Sequence, residues 1–330
     1  AALALLTATS LFGAGWIARD VIVDGSSAPA TQVAEAGHTA VVTGPVEEPV
    51  AAVAALLGPA VVQIEIGQSL GSGVIYDASG IVMTNAHVVG DRSEVGVKLH
   101  DGTKLDGRVL GTDPSSDVAV VKVPAGSLVV ATLAPDGPTV GDLAVAVGSP
   151  FGLAQSVTAG VVSAVDRPAN GDAGIAVNMS QTDAPINPGN SGGALANRRG
   201  EVMGINTSIF SRSGDNSGIG FAIPIVTART IADRIVAGEP LDKGYLGVRT
   251  TVTDDGQPGA KIDSVDRSTP AASAGLRSGD VIVAVDGAAV RAPDELGARI
   301  AGLDPGAIIP LEVVRGSDSL SIQVTLAARP

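Results

Sequence analysis

The chain has 330 residues, room for two ordinary globular units and a tail. Its formal charge of −13, from 34 acidic against 21 basic residues, argues against a nucleic-acid binder, which needs a basic face to displace counterions from phosphates. It has no cysteine, so neither disulfides nor thiolate metal sites hold it, and with 2% aromatic residues and 43 glycines its cores must come from short Val, Ile, Leu and Ala strands between frequent turns.

Ala1 to Ala18 carry no charge, and the run stops at Arg19 and Asp20. That meets the lower bound of ~18 residues for a bilayer-spanning helix, so residues 1–20 are expected to be a membrane anchor or signal segment. Residues 21–54 are rich in Ala, Gly, Pro, Thr and Ser without a sustained period and are expected to be a flexible linker.

From residue 55 a short-strand pattern takes over. Val61 to Ile66 alternates apolar and polar residues; Gly73 to Tyr76 and Ile81 to Thr84 flank an Asp-Ala-Ser-Gly turn; Glu94 to His100 meets Thr103 to Leu110 across Asp101-Gly102. Val118 to Val123, Leu143 to Val147, Val157 to Val162, Ile175 to Met179, Glu201 to Ile205 and Gly220 to Ile223 continue it without intervening helices, which fits all-β barrels and not a parallel α/β sheet. Between Ile225 and Ala237 the apolar residues fall at helical spacing, and Gly238 supplies a stop that closes the domain 55–238. Residues 239–330 form a second unit with strands near Leu246 to Thr250, Gly259 to Val265, Val281 to Val285 and Ile309 to Val314. One short helix starts at Thr269 with Pro270 in its first turn, and another runs from Pro293 to Ala301.

Three motifs carry chemistry. Ser191 lies in GNSGG, Gly189 to Gly193, whose glycines let the backbone approach a substrate and aim its amides inward. Alone this motif reads equally well as a hairpin turn. It also matches the nucleophile elbow of α/β-hydrolases, but that fold requires the histidine after the serine, and His38, His87 and His100 all precede Ser191. His87, in TNAHVV, sits at the end of a rigid apolar strand, as a catalytic base requires, whereas His100 abuts a turn and His38 lies in the tail. Asp117 opens DVAVVKV, where a carboxylate could fix the imidazole tautomer; alone it would be a solvated strand-start Asp. The order His, Asp, Ser within an all-β pattern is that of the chymotrypsin-type triad.

TNAHVV, DVAVVKV, QTDAPINPGNSGGAL and GIGFAIP together resemble the HtrA family of serine proteases over roughly residues 55–330. The resemblance implies a mostly β chain: a chymotrypsin-like double β-barrel followed by a PDZ domain, with GYLGV (Gly244 to Val248) and Ser268 to Gly287 as the PDZ signature. It implies Ser191 as nucleophile, His87 as general base and acid, and Asp117 as its orienter, with no metal or cofactor required. Gly189, Asn190 and Ser191 would build the oxyanion hole, the amides of 189 and 191 donating and Asn190 shaping the turn. The substrate pocket would be lined by Ala184, Pro185 and Ile186 on one side and Ile219, Gly220 and Phe221 on the other, favouring small or medium apolar side chains; Pro185 stands where a trypsin-like enzyme carries an acid. Tyr245, Leu246, Gly247 and Val248 would bind a peptide C-terminus, a reading that coexists with Tyr245 and Leu246 as core residues of the first strand. Implied partners are unfolded protein substrates, peptide C-termini that order the active-site loops, and two further copies in a homotrimer. The segment between Ile66 and Gly71 is short and lacks the long inserted loop of cage-forming members, so the resemblance implies a membrane-tethered sensor or housekeeping protease, with residues 212–216 as an adjustable loop. The rival reading is a proteolytically idle PDZ scaffold that holds unfolded chains.

Overall fold

The computed structural model describes residues 48–67, 69–149, 155–170, 176–207, 218–254 and 256–329. The expected anchor over 1–20, His38 and the 212–216 loop lie outside the described residues. Among the described residues no helix is long and apolar enough to cross a membrane.

Helix α1 (Pro49–Leu57) opens the described chain and leads through a 3-10 turn, Gly58–Ala60, into the first barrel. Residues 49–54, expected as linker, are therefore helical: Pro49 stands at the first helical position, and Val53 and Leu57, four apart on one face, are buried in the core beneath the barrels. The barrel comprises β1 (Val61–Ile66), β2 (Ser69–Asp77), β3 (Ile81–Thr84), the single helical turn α2 (Ala86–Val89), β4 (Glu94–Lys98), β5 (Lys104–Asp113) and β6 (Val118–Lys122). Its strands close in the order β1-β2-β3-β6-β5-β4. The turns follow local chemistry: Asp77 accepts the N–H of Ser79 on its carboxylate and that of Gly80 on its carbonyl, and Gly80 adopts φ 94, a conformation open to glycine.

A second closed barrel, β10-β11-β12-β9-β8-β7, is built from β7 (Leu143–Gly148), β8 (Ser156–Asn170), β9 (Ala176–Thr182), β10 (Ala194–Ala196), β11 (Val202–Thr207) and β12 (Gly220–Pro224). Both barrels are antiparallel, and one apolar cluster joins them, with Val74, Met83 and Val120 of the first packed with Val145, Val147 and Ile205 of the second. Helix α3 (Ile225–Ala237) lays Ile225, Ala228, Ile231, Ala232 and Ile235 onto that cluster and ends at Gly238 in the left-handed conformation.

The C-terminal unit comprises β13 (Gly244–Tyr245), β14 (Val248–Thr251), β15 (Ala260–Val265), α4 (Pro270–Ser273), β16 (Val281–Val285), β17 (Ala288–Ala289), α5 (Pro293–Ala301), β18 (Ile308–Arg315), β19 (Asp318–Thr325) and β20 (Ala327–Ala328). One sheet runs β14-β15-β16-β18-β19, β17 pairs with β16, and β13 pairs with β20. Thr269 caps α4 by accepting the N–H of Ala272. Strand β19 adds to the strands the sequence predicts; along it Leu320, Ile322 and Val324 alternate with polar residues.

Candidate active site

His87 sits on α2, three residues past the end of β3, so a rigid barrel strand delivers its ring. Asp117 lies immediately before β6, which pairs with β3, and that pairing brings the two stretches side by side. The Nδ1 of His87 is 2.9 Å from each carboxylate oxygen of Asp117, and the His87 backbone N–H donates to Oδ1 at 3.0 Å. Asp117 is itself gripped from behind: its carbonyl accepts Ala86 N–H and the Asn85 side-chain amide, and its φ is +57. A non-glycine residue in that region costs of order 1 kcal/mol or more and persists where its surroundings over-determine it, as these hydrogen bonds do. The second barrel contributes Thr207, whose buried hydroxyl donates to Oδ2 at 2.9 Å. The carboxylate is thus held from both barrels. With Nδ1–H committed to it, Nε2 is the lone-pair nitrogen that can take a proton.

Ser191 lies on a turn just before β10 and is 4% exposed. Two successive turns shape the segment, Asn190 N–H donating to Asn187 O and Gly193 N–H to Asn190 O, with Gly189 and Gly192 at φ 95 and 83. Asn190 therefore contributes the turn, its N–H being already engaged. Gly192 is needed for closeness as well as for conformation: a Cβ there would collide with the Ser72 carbonyl and the Thr84 hydroxyl, three residues before His87. The serine turn and the histidine strand accordingly meet across the barrel interface.

Ser72, on β2, makes that junction. Its N–H donates to Ser191 O at 2.8 Å, its hydroxyl donates to Gly189 O at 2.6 Å and accepts Ser149 N–H at 2.8 Å, and its carbonyl accepts the Thr84 hydroxyl at 2.7 Å. Nothing along the chain marks Ser72 or Thr207, which look like ordinary strand residues.

Beside the serine turn, Ala184 is buried, Ile186 half-buried and Pro185 exposed, with the Pro185 carbonyl accepting the Thr158 hydroxyl. Across from them a Cβ on Gly220 would come within 2.6 Å of Ile186 Cγ1 and 3.2 Å of Ala184 O. The absence of that Cβ leaves the space between the two walls, while Ile219 is exposed and Phe221 half-buried on the same strand edge. In the C-terminal unit Leu246 is 4% exposed within the core, Gly247 is buried, and Tyr245 and Val248 are half-buried along a groove of about 340 Å³. His100 is exposed on the β4–β5 turn.

Two closed barrels flanking such a carboxylate, imidazole and serine define a chymotrypsin-like serine protease fold, here followed by a smaller β unit. Residues 71–205 match the trypsin-like peptidase domain and residues 244–326 the PDZ domain. The periplasmic pH-dependent serine endoprotease DegQ of Escherichia coli is 40% identical over 271 residues, 78% of this chain and 59% of that protein. A probable periplasmic serine endoprotease DegP-like of Halomonas elongata is 42% identical over 273 residues, 80% of this chain and 57% of that protein. The chain thus spans under two thirds of the length of these two relatives. Among solved structures, the HtrA-type protease AlgW with tripeptide superposes with a TM-score of 0.72 at 36% identity, covering 85% of this chain and 97% of that one. The chain belongs to the HtrA family of serine proteases.

Proposed function

We propose that the chain is a serine endopeptidase that hydrolyses unfolded or damaged proteins on the extracytoplasmic side of a membrane through an acyl-enzyme. The observation that carries this reading is the double hydrogen bond between His87 Nδ1 and Asp117, which sets the tautomer a general base needs. In the reaction Ser191 Oγ attacks a peptide carbonyl as His87 Nε2 takes its proton, and His87 then protonates the leaving amine. The amides of Gly189 and Ser191 receive the developing oxyanion. The walls formed by Ala184, Ile186 and Gly220 favour a small or medium apolar side chain next to the scissile bond.

The periplasmic naming of the relatives supports the compartment, and residues 1–20 are the proposed single-pass anchor. The PDZ domain would capture peptide C-termini at Tyr245 to Val248 and report occupancy to the active site of a homotrimer; that AlgW was solved with a tripeptide agrees with peptide capture. The rival scaffold reading predicts a silent Ser191. Incubation with a fluorophosphonate probe and a denatured protein separates the two: labelling of Ser191 and accumulation of fragments are expected, and Ser191→Ala should lower turnover by on the order of 10⁶. Fragments produced at an undiminished rate by Ser191→Ala would move the chemistry elsewhere.

A further inference from the structure

The groove between β14 and α5 has apolar walls and a polar end. Leu246, Leu296 and Ile300 supply buried apolar surface, and Gly297 on α5 leaves open space with no atom near its missing Cβ. At the polar end the loop after β13 is pinned. Gly247 lies at φ 83 where a Cβ would strike Thr269, its carbonyl accepts Asp266 N–H, and the Leu246 carbonyl accepts Ala271 N–H. Among the described residues the N–H groups of Leu246 and Gly247 donate to no protein acceptor. Two adjacent unengaged donors on a rigid loop suit an anion, because a carboxylate there gains hydrogen bonds that cost no loop ordering.

A cation stands at the same end. Arg329 follows β20, which pairs with β13, and its N–H donates to Lys243 O at 3.2 Å, so the residue is fastened beside the loop. It lines the groove, its side chain is exposed, and among the described residues it makes no ion pair. Its charge is close enough to Tyr245 to oppose the effects of burial and Asp266, which raise that phenol. Arg249 exerts the same opposition from β14 but does not line the groove.

We infer that Arg329 is the cation that pairs with the terminal carboxylate of a peptide seated in this groove, so that capture depends on charge as well as on loop amides. The inference rests on the groove binding peptide C-termini at all. A guanidinium hydrogen bond to a carboxylate is roughly twice as strong as one from a neutral donor, and at an exposed position it weakens with salt.

The test uses the full chain in a Ser191→Ala background, so that probes survive, and two pools of dye-labelled decapeptides randomised at their last four positions, one ending in a free carboxylate and one in an amide. Anisotropy should show the acid pool binding more tightly than the amide pool. Arg329→Ala should weaken the acid pool about tenfold, equivalent to ~1.4 kcal/mol, and reduce its salt dependence while leaving the amide pool unchanged. Arg329→Lys should recover part of the loss, and Arg249→Ala should change neither pool. Equal binding of the two pools, or binding of neither, overturns the reading of the groove and the inference with it. An acid preference that survives Arg329→Ala undiminished overturns the role of Arg329 alone.

Discussion

Ser72 has no solvent exposure, and each of its four hydrogen bonds ends on a part of the site: Ser191, Gly189, Ser149 and Thr84. Removing its hydroxyl would leave Gly189 O without its donor and Ser149 N–H without its acceptor, at about 1 kcal/mol each, since both residues are half-buried. The same loss frees the Gly189 peptide, which borders the proposed oxyanion site. Ser72→Ala is therefore expected to lower kcat by about 10- to 100-fold, less than the roughly 10²- to 10³-fold cost of removing an oxyanion donor outright, with KM little changed. Steady-state kinetics on a chromogenic peptide decides it; a change confined to KM would make Ser72 a substrate contact instead. His87, Asp117 and Ser191 could be singled out beforehand because each breaks the local pattern, a polar group at the mouth of an apolar strand or within a glycine turn. Ser72 and Thr207 break nothing along the chain. Their meaning arises from partners 117 and 90 residues away, a separation that no periodicity encodes.

Among the elements, the turn between β5 and β6 carries Asp117 and is fastened by a residue from the start of the C-terminal unit. Lys243 Nζ lies 2.7 Å from Asp113 Oδ2 and donates to the Ser116 hydroxyl at 2.9 Å, both Asp113 and Ser116 being buried. Burial pushes the Asp113 carboxyl up, but hydrogen bonds from Lys243, Ser115 and Ser116 and the lysine charge outweigh it and hold it below its ordinary 3.8. A depressed folded value means that the stabilisation is complete above 3.8 and is lost as pH falls through the lowered value. Lys243→Met and Asp113→Asn should each destabilise the protein at neutral pH. Combined, they should cost less than their sum by at least ~1 kcal/mol, since the second change removes a charge the first left unpaired. Denaturant titrations of the four proteins at pH 7 and again in acid measure this coupling, and a coupling that persists unchanged in acid would contradict it. The strand pairs and α3 were readable from alternation and helical spacing. Helix α1 was not, because its Ala-rich sequence resembles the tail before it and its burial comes from the barrels' packing. Strand β10 was not either, being three residues long and adjoining the serine turn.

At the scale of the whole molecule the buried apolar residues divide at the boundary between the protease and PDZ units. The clusters of the two barrels contain no buried residue beyond Ile235, and the PDZ cluster begins at Leu246. Lys243 with Asp113 and Arg234 with Asp304, at 2.7 Å each, are polar ties across that division. Helix α5 also packs against β8 and β9, but units that keep separate apolar cores unfold as separate cooperative steps. Within the PDZ unit the Asp280 carboxylate, 1% exposed, is held by Arg315 through Nε and an outer nitrogen, both at 2.7 Å, and by Arg277 N–H at 2.9 Å. Arg315→Met strips the counter-ion from a buried carboxylate and should cost about 3 kcal/mol. Calorimetry should then show one transition moving down by several degrees while the other stays in place, because Arg315 joins β18 to the loop before β16 and touches neither barrel. Fluorophosphonate labelling of Ser191 at a temperature between the two transitions should persist, since both barrels are still closed there. A single transition that shifts as a whole would mean that the two cores fold together and that the contacts between the units couple them fully.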